Sequence, residues 1–193
     1  MSQGGRFLLA TLCGLVLAGI VHITVVMAIP YLSANDAFSR TRATLSNDTS
    51  VLIHAAETGG PPEAAEGWLP PQDPAVAVGV CAYDLDDGPV RISAETGSLL
   101  ESISVHGRGG AFYAVTDQAA VKGNIELVIM TRRQFDEALA SADEDERNRD
   151  VRIVAPGREG YVVVRVLAAL PSQQTLANAA ARSVSCTIDG PDE

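Results

Sequence analysis

The stretch L-L-E-S-I-S-V-H-G-R-G-G-A-F-Y-A-V-T, residues 99–116, decides the fold class. Leu99, Glu101, Ile103 and Val105 alternate with Ser102, Ser104 and His106, the period of two that a strand with one buried face produces. Gly107-Arg108-Gly109-Gly110 supplies residues able to turn the chain tightly, and Ala111 to Val115 reads as the returning strand of a hairpin. The segments on either side repeat the theme. Ala75 to Tyr83, Val90 to Ser93, Ile125 to Met130, Val151 to Ala155 and Tyr161 to Leu170 are short, apolar and rich in β-branched residues. Asp86-Asp87-Gly88-Pro89 and Pro156-Gly157-Arg158-Glu159-Gly160 punctuate them as turns. Arg132 to Ser141 reads as a short helix, and Ser172 to Arg182 as an Ala-rich one capped by Ser172. Strands at this spacing predict a mainly β (α+β) domain over residues 75–193, a β-sandwich or small barrel decorated by short helices.

Upstream of that domain the chemistry changes. Phe7 to Ile29 reads FLLATLCGLVLAGIVHITVVMAI, and after Arg6 no Asp, Glu, Lys or Arg occurs before Asp36. A helix of this length at ~1.5 Å per residue covers roughly 35 Å, enough for a hydrocarbon core of ~30 Å. The run exceeds the ~7–15 apolar residues of a cleaved signal peptide, although Val26-Met27-Ala28 has the small-residue character of a cleavage site. The reading is one N-terminal transmembrane anchor over 1–30, a helical stalk and linker over 31–74, and an extracytoplasmic β-rich domain over 75–193. In the stalk, Ala34, Ala37, Phe38, Thr41 and Leu45 recur at helical spacing. Glu57 to Pro74 is a Gly/Pro/Glu-rich linker in which Trp68-Leu69 is expected to pack onto the domain.

The formal net charge is −10, from 24 acidic and 14 basic residues, and residues 30–193 hold all 24 acidic and 13 basic ones, a balance of −11. Such a domain lacks the basic face with which proteins displace counterions from nucleic acid, so nucleic-acid binding is excluded as an expectation. Of three cysteines, Cys13 lies in the apolar run. Cys81 and Cys186 have no CxxC context or nearby His, which argues against zinc, and they read as a disulfide suited to an oxidising compartment. Together with the anchor, this points to an extracytoplasmic domain, while the positive residues flanking the span, Arg6 before it and Arg40 and Arg42 after it, leave the topology open.

The runs CAYDLDDGPVRI (81–92), SISVHGRGGAFYAV (102–115), ELVIMT (126–131) and VAPGREGYVVVRVLAALPSQ (154–173) resemble the bacterial family called "domain of unknown function 1254", in its short membrane-anchored members. The resemblance covers roughly residues 6–187, with APGREG as its most specific piece. It implies an inner-membrane protein with a periplasmic β-rich domain, often accompanied by a partner of the "domain of unknown function 1214" family. It implies no activity and carries no functional residue. Where relatives tend to have an aromatic residue before the ISVHG-like strand, this chain has Leu100-Glu101.

Catalytic motifs are absent: there is no GxSxG, HExxH, GxxxxGK[ST] or SxxK. Ser104, His106 and Asp117 can be drawn as a hydrolytic triad, yet a shared strand face is ordinary for Ser104 and His106. Asp84 to Glu95 has a calcium-loop outline, but glycine falls at position five and Pro89 where glycine is required. Residues 143–150 form a mixed charge run of the kind that a solvated loop carries. Arg91, Arg158 and Arg165 are the candidate anion or partner contacts, with Glu101 or Asp84 as candidate ion-pair partners for Arg165. Ala10, Gly14, Ala18 and His22 line one face of the apolar helix at four-residue intervals, a pattern that lets another membrane helix approach closely. The expected function is an accessory or interaction subunit of a cell-envelope complex without catalysis, metal or cofactor. A lipid- or glycan-binding module is the alternative, weakened by an aromatic content of 5%.

Overall fold

The computed structural model of the 193-residue chain describes residues 2–32, 37–42, 48–57, 73–141 and 151–189. Trp68-Leu69, most of the linker and the charge run 143–150 lie outside the described residues. The chain divides into two compact units, residues 1–39 and 40–193.

The first unit carries helix α1, Gln3–Leu32, whose segment Gln3–Ile29 is long and apolar enough to cross a membrane and buries none of its apolar window against the protein. In water, large apolar side chains such as Phe7, Leu15 and Ile23 would stay more than half exposed, a cost that a hydrocarbon solvent removes. Inside the helix, Thr11 and Thr24 donate their hydroxyls back to the carbonyls of Phe7 and Ile20, at 3.0 and 2.8 Å, so neither is left unpaired in an apolar medium. A short helix, α2 (Ala37–Thr41), follows.

The second unit is a two-sheet sandwich. Its strands are β1 (Val51–His54), β2 (Val76–Asp84), β3 (Val90–Glu95), β4 (Glu101–Gly107), β5 (Gly110–Thr116), β6 (Asn124–Met130), β7 (Val151–Val154), β8 (Glu159–Leu167) and β9 (Ser185–Ile188). Strands β1-β2-β8-β4-β5 form a five-stranded antiparallel sheet and β7-β6-β3-β9 a four-stranded one. Among the described strands only β6 and β7 run parallel, and the crossover between them carries α3 (Arg132–Ser141). Ile92, Ile103, Leu127, Ile129, Val162 and Val164 fill the space between the sheets at 0–1% exposure. Each stabilises the fold by about 1.5–3 kcal/mol. The hairpin over 99–116 forms as its alternation dictates: Glu101, Ile103 and Val105 point inward, and Gly107 pairs with Gly110 across the turn.

The disulfide joins Cys81 of β2 to Cys186 of β9, 105 residues apart, and so staples the two sheets together. Helix α4 (Gln174–Ser183) packs on β2 and β8 through Ala177 and Ala181. A side chain on Gly79 would collide with the carbonyl of Ala181, which also accepts the Ser50 hydroxyl at 2.8 Å. Glycine there is a packing requirement, not a conformational one.

Two sequence expectations change. Val51–His54, read as part of a helical stalk, is the edge strand β1: a Val-Leu-Ile run beside the open edge of β2 gains a ladder that weak helical spacing cannot offset. The residues before it run along β9, where Cys186 N–H donates to the Asp48 carbonyl and Ser50 N–H to Val184, both at 2.8 Å. Ser172 does not cap α4. It sits in a 3₁₀ turn, Pro171–Gln173, that leads into the helix, and the Gln173 side chain accepts the Leu170 N–H at 3.0 Å.

Candidate functional site

The three sequence-nominated arginines do not meet. Arg91 lies on β3 in the four-stranded sheet, where Asp189 accepts its Nε at 2.8 Å and Glu126 stands 3.6 Å away. Arg158 reaches Asp86 at 2.7 Å between two loops that carry the chain from one sheet to the other. Arg165 projects from β8 on the outer face of the five-stranded sheet. Its expected partner Glu101 is on the opposite face, because register pairs Arg165 with Ser102 and Glu101 with Val166.

At the loop end of the sandwich, Asp86, Arg108, Gly109, Pro156, Gly157, Arg158 and Glu159 line an open cleft. Arg108 pairs with Glu159 at 2.8 Å, so both cations in the cleft are matched by carboxylates. The mostly exposed setting makes these pairs worth only about 0–1 kcal/mol each. Gly160 of the APGREG loop has no positive φ; a side chain there would strike the Tyr83 hydroxyl and the His106 carbonyl. Tyr83 is 2% exposed, its ionisation suppressed by burial, and its hydroxyl donates to that same carbonyl at 3.3 Å. The loop glycine therefore serves the packing beneath it.

The Asp84–Glu95 segment separates into a turn and a strand, with Asp84 Oδ1 accepting the Asp86 N–H at 3.0 Å. Among the described residues no three His, Cys, Asp or Glu side chains converge as metal ligands.

The imagined triad breaks in an instructive way. Ser104 and His106 do meet, with Ser104 Oγ 2.9 Å from His106 Nε2, but Asp117 does not join them. Asp117 lies in a 3₁₀ turn after β5 and acts on Glu101, on the inward side of β4. Glu101 is 3% exposed, and its Oε1 and the Asp117 Oδ1 are buried without hydrogen-bond partners. Burial, reinforced by Asp117, pushes the Glu101 carboxyl up to about 7. Sequence placed Glu101 on the apolar face but gave no sign of its neighbour, which arrives from another element.

On the outer face, His106 stacks on Tyr161 with ring centroids 4.8 Å apart and an interplanar angle of 11°. Burial, and then the Arg165 charge, holds the imidazole below its ordinary range. Ser104 Oγ stands 2.9 Å from His106 Nε2 and donates at 3.4 Å toward the Val163 carbonyl, while Arg165 Nη1 donates to Ser104 Oγ at 3.3 Å. No carboxylate among the described residues lies within ion-pair reach of Arg165. Among the described residues it is the one member of the nominated arginine set with no carboxylate against it.

No family model and no curated protein matches the chain. Among solved structures it is similar to the VPA0106 protein of Vibrio parahaemolyticus, with a TM-score of 0.48 and 10% identity over 63% of this chain and 31% of that one. It is also similar to an uncharacterized protein of Burkholderia cenocepacia, with a TM-score of 0.45 and 12% identity over 77% of this chain and 36% of that one. The chain spans only 31% and 36% of those proteins' lengths, and neither likeness carries an argument about what it does.

Proposed function

We propose that this chain is a single-pass inner-membrane protein of a bacterial cell envelope, with its amino terminus in the cytoplasm and its β-rich domain in the periplasm. It serves as an accessory or interaction subunit of an envelope protein complex and performs no catalysis of its own. The observation that carries the reading is a 27-residue apolar helix with nothing buried against it, in a chain whose second unit is closed by a disulfide. The helix demands a hydrocarbon solvent, and the disulfide an oxidising one, and the extracytoplasmic side of a membrane supplies both. By its motif resemblance the chain takes a membrane partner of the "domain of unknown function 1214" family. The space between the sheets is filled by core side chains among the described residues, so the lipid- or glycan-binding alternative gains no support.

The test is to solubilise membranes gently, purify the intact protein and identify what accompanies it. A stoichiometric membrane protein partner is the expected result. A protein that purifies alone from several detergents, at native abundance, would overturn the accessory role. Protease protection in spheroplasts tests orientation separately: the β domain should be digested from outside without lysis.

A further inference from the structure

We propose that the outer face of the five-stranded sheet holds an oxyanion site, built from Arg165, Ser102 and Thr116 and suited to a phosphate group, with Ser104 linking Arg165 to His106 as its proton-linked neighbour. Strand register builds the site. Thr116 of β5, Ser102 of β4 and Arg165 of β8 lie in one row across three adjacent strands, and Ser104 sits two residues along β4 on the same face. Directly opposed side chains in such rows have Cβ atoms roughly 4.5–5.5 Å apart, within reach of one small ligand.

The row contains more hydrogen-bond donors than the protein uses. Arg165 gives one bond to Ser104 and meets no carboxylate among the described residues, while the Ser102 and Thr116 hydroxyls make no side-chain bond there. Elsewhere on the domain, Arg91, Arg108 and Arg158 each sit against an acidic side chain. In a chain of net charge −10, a guanidinium left unmatched beside two free hydroxyls is complementary to a small anion. One guanidinium with several hydroxyls offers more donors than a carboxylate's two oxygens need, whereas a tetrahedral phosphate can accept from all of them.

The geometry couples this site to a proton. His106 faces Arg165 through Ser104 and stacks on Tyr161, and the acidic group on that face of β8, Glu159, is engaged by Arg108. An anion on Arg165 cancels the repulsion that opposes imidazolium formation. Binding therefore raises the His106 pKa, and lower pH strengthens binding. The site goes beyond the anchoring and accessory reading and does not depend on it.

The experiment uses the intact protein in non-ionic, phosphate-free micelles, titrated with inorganic phosphate and, in a parallel arm, with a short-chain phosphatidylglycerol. Sodium chloride at matched ionic strength is the control. Resonances of residues 102–106 and 165 and the titration of the His106 ring are followed by NMR. Saturable shifts are expected, with the His106 pKa rising on binding. Affinity should fall at least tenfold in Arg165→Gln and several-fold in Ser102→Ala, while His106→Gln should keep binding and lose its pH dependence. A response to either phosphate source that Arg165→Gln removes supports the site, and the arm that responds identifies the source. A response that chloride reproduces, that survives Arg165→Gln, or that is absent in both arms overturns it. Wild-type unfolding midpoints for Arg165→Gln, an exposed position, separate lost binding from lost fold.

Discussion

Replacing Glu101 by Gln should make the domain more stable at pH 8 and should stabilise it much less at pH 5. The carboxyl is pushed from an ordinary 4.5 up to about 7 because its buried charge has no donor and faces Asp117. Below pH 4.5 the side chain is protonated in both folded and unfolded chains and contributes no penalty. Between 4.5 and about 7 the unfolded chain releases its proton while the folded one keeps it, so stability declines as pH rises. Above that window the accumulated loss is about 3 kcal/mol, since each pH unit of the window costs roughly 1.4 kcal/mol. Glutamine mimics the protonated acid at every pH and removes the slope. For a domain of this size the gain at pH 8 corresponds to roughly 6–12 °C in unfolding temperature. His106, held below its ordinary range, has the opposite sign: its contribution is fully present above the unfolded histidine value and declines as pH falls. That contribution is common to both proteins and cancels in the difference. Thermal unfolding of wild type and Glu101→Gln in non-ionic micelles, followed by near-UV circular dichroism from pH 5 to pH 8, measures it. Parallel pH profiles for the two proteins would refute the reasoning.

Three further perturbations test other parts of the architecture. Substituting Ala for both Cys81 and Cys186, or reducing the bridge, frees a 105-residue loop and should cost about 4–5 kcal/mol on the chain-entropy account; urea midpoints that do not move with reductant would contradict it. Gly79→Ala drives a methyl group into the Ala181 carbonyl and should destabilise by about 1–3 kcal/mol, with amide exchange accelerated first in α4; wild-type protection throughout α4 would show that the helix sits elsewhere. Gly14→Ile widens the small-residue face of α1 and should weaken crosslinked assemblies in membranes without changing the domain's unfolding midpoint; an unchanged crosslinking pattern removes the stripe from consideration.

The β architecture was legible because its signals are local. Alternation along 101–105, the GRGG turn and the apolar runs each need only a few neighbouring residues, and each forms where expected. Val51–His54 was not legible as a strand, because a four-residue run acquires its conformation from the edge of β2, which no local pattern reveals. The cysteine pair was readable by elimination, and its effect, a link between opposing sheets, required the topology.

The functional candidates followed the same division between local and long-range information. Sequence could nominate Arg91, Arg158 and Arg165 because charge in a strand or glycine-rich loop calls for a partner. It could not say which already have one. Asp189 is 98 residues from Arg91 and Asp86 is 72 from Arg158, and those pairings cancel two of the three charges. The Ser104–His106 contact was implicit in two-residue spacing, but Asp117 departs toward Glu101, converting an imagined triad into two separate features on opposite faces of β4. One face of that strand carries a carboxyl that holds its proton for want of a donor, and the other carries hydroxyls beside the guanidinium of Arg165 on β8. Register alone divides them, so a one-residue slip of β4 would bring Glu101 to the side of Arg165 and satisfy both. Ile103 and Val105 prevent that slip by burying completely in the core. The packing of the sandwich thus keeps an acid and a base apart that would otherwise neutralise each other, and the unmatched Arg165 is its consequence.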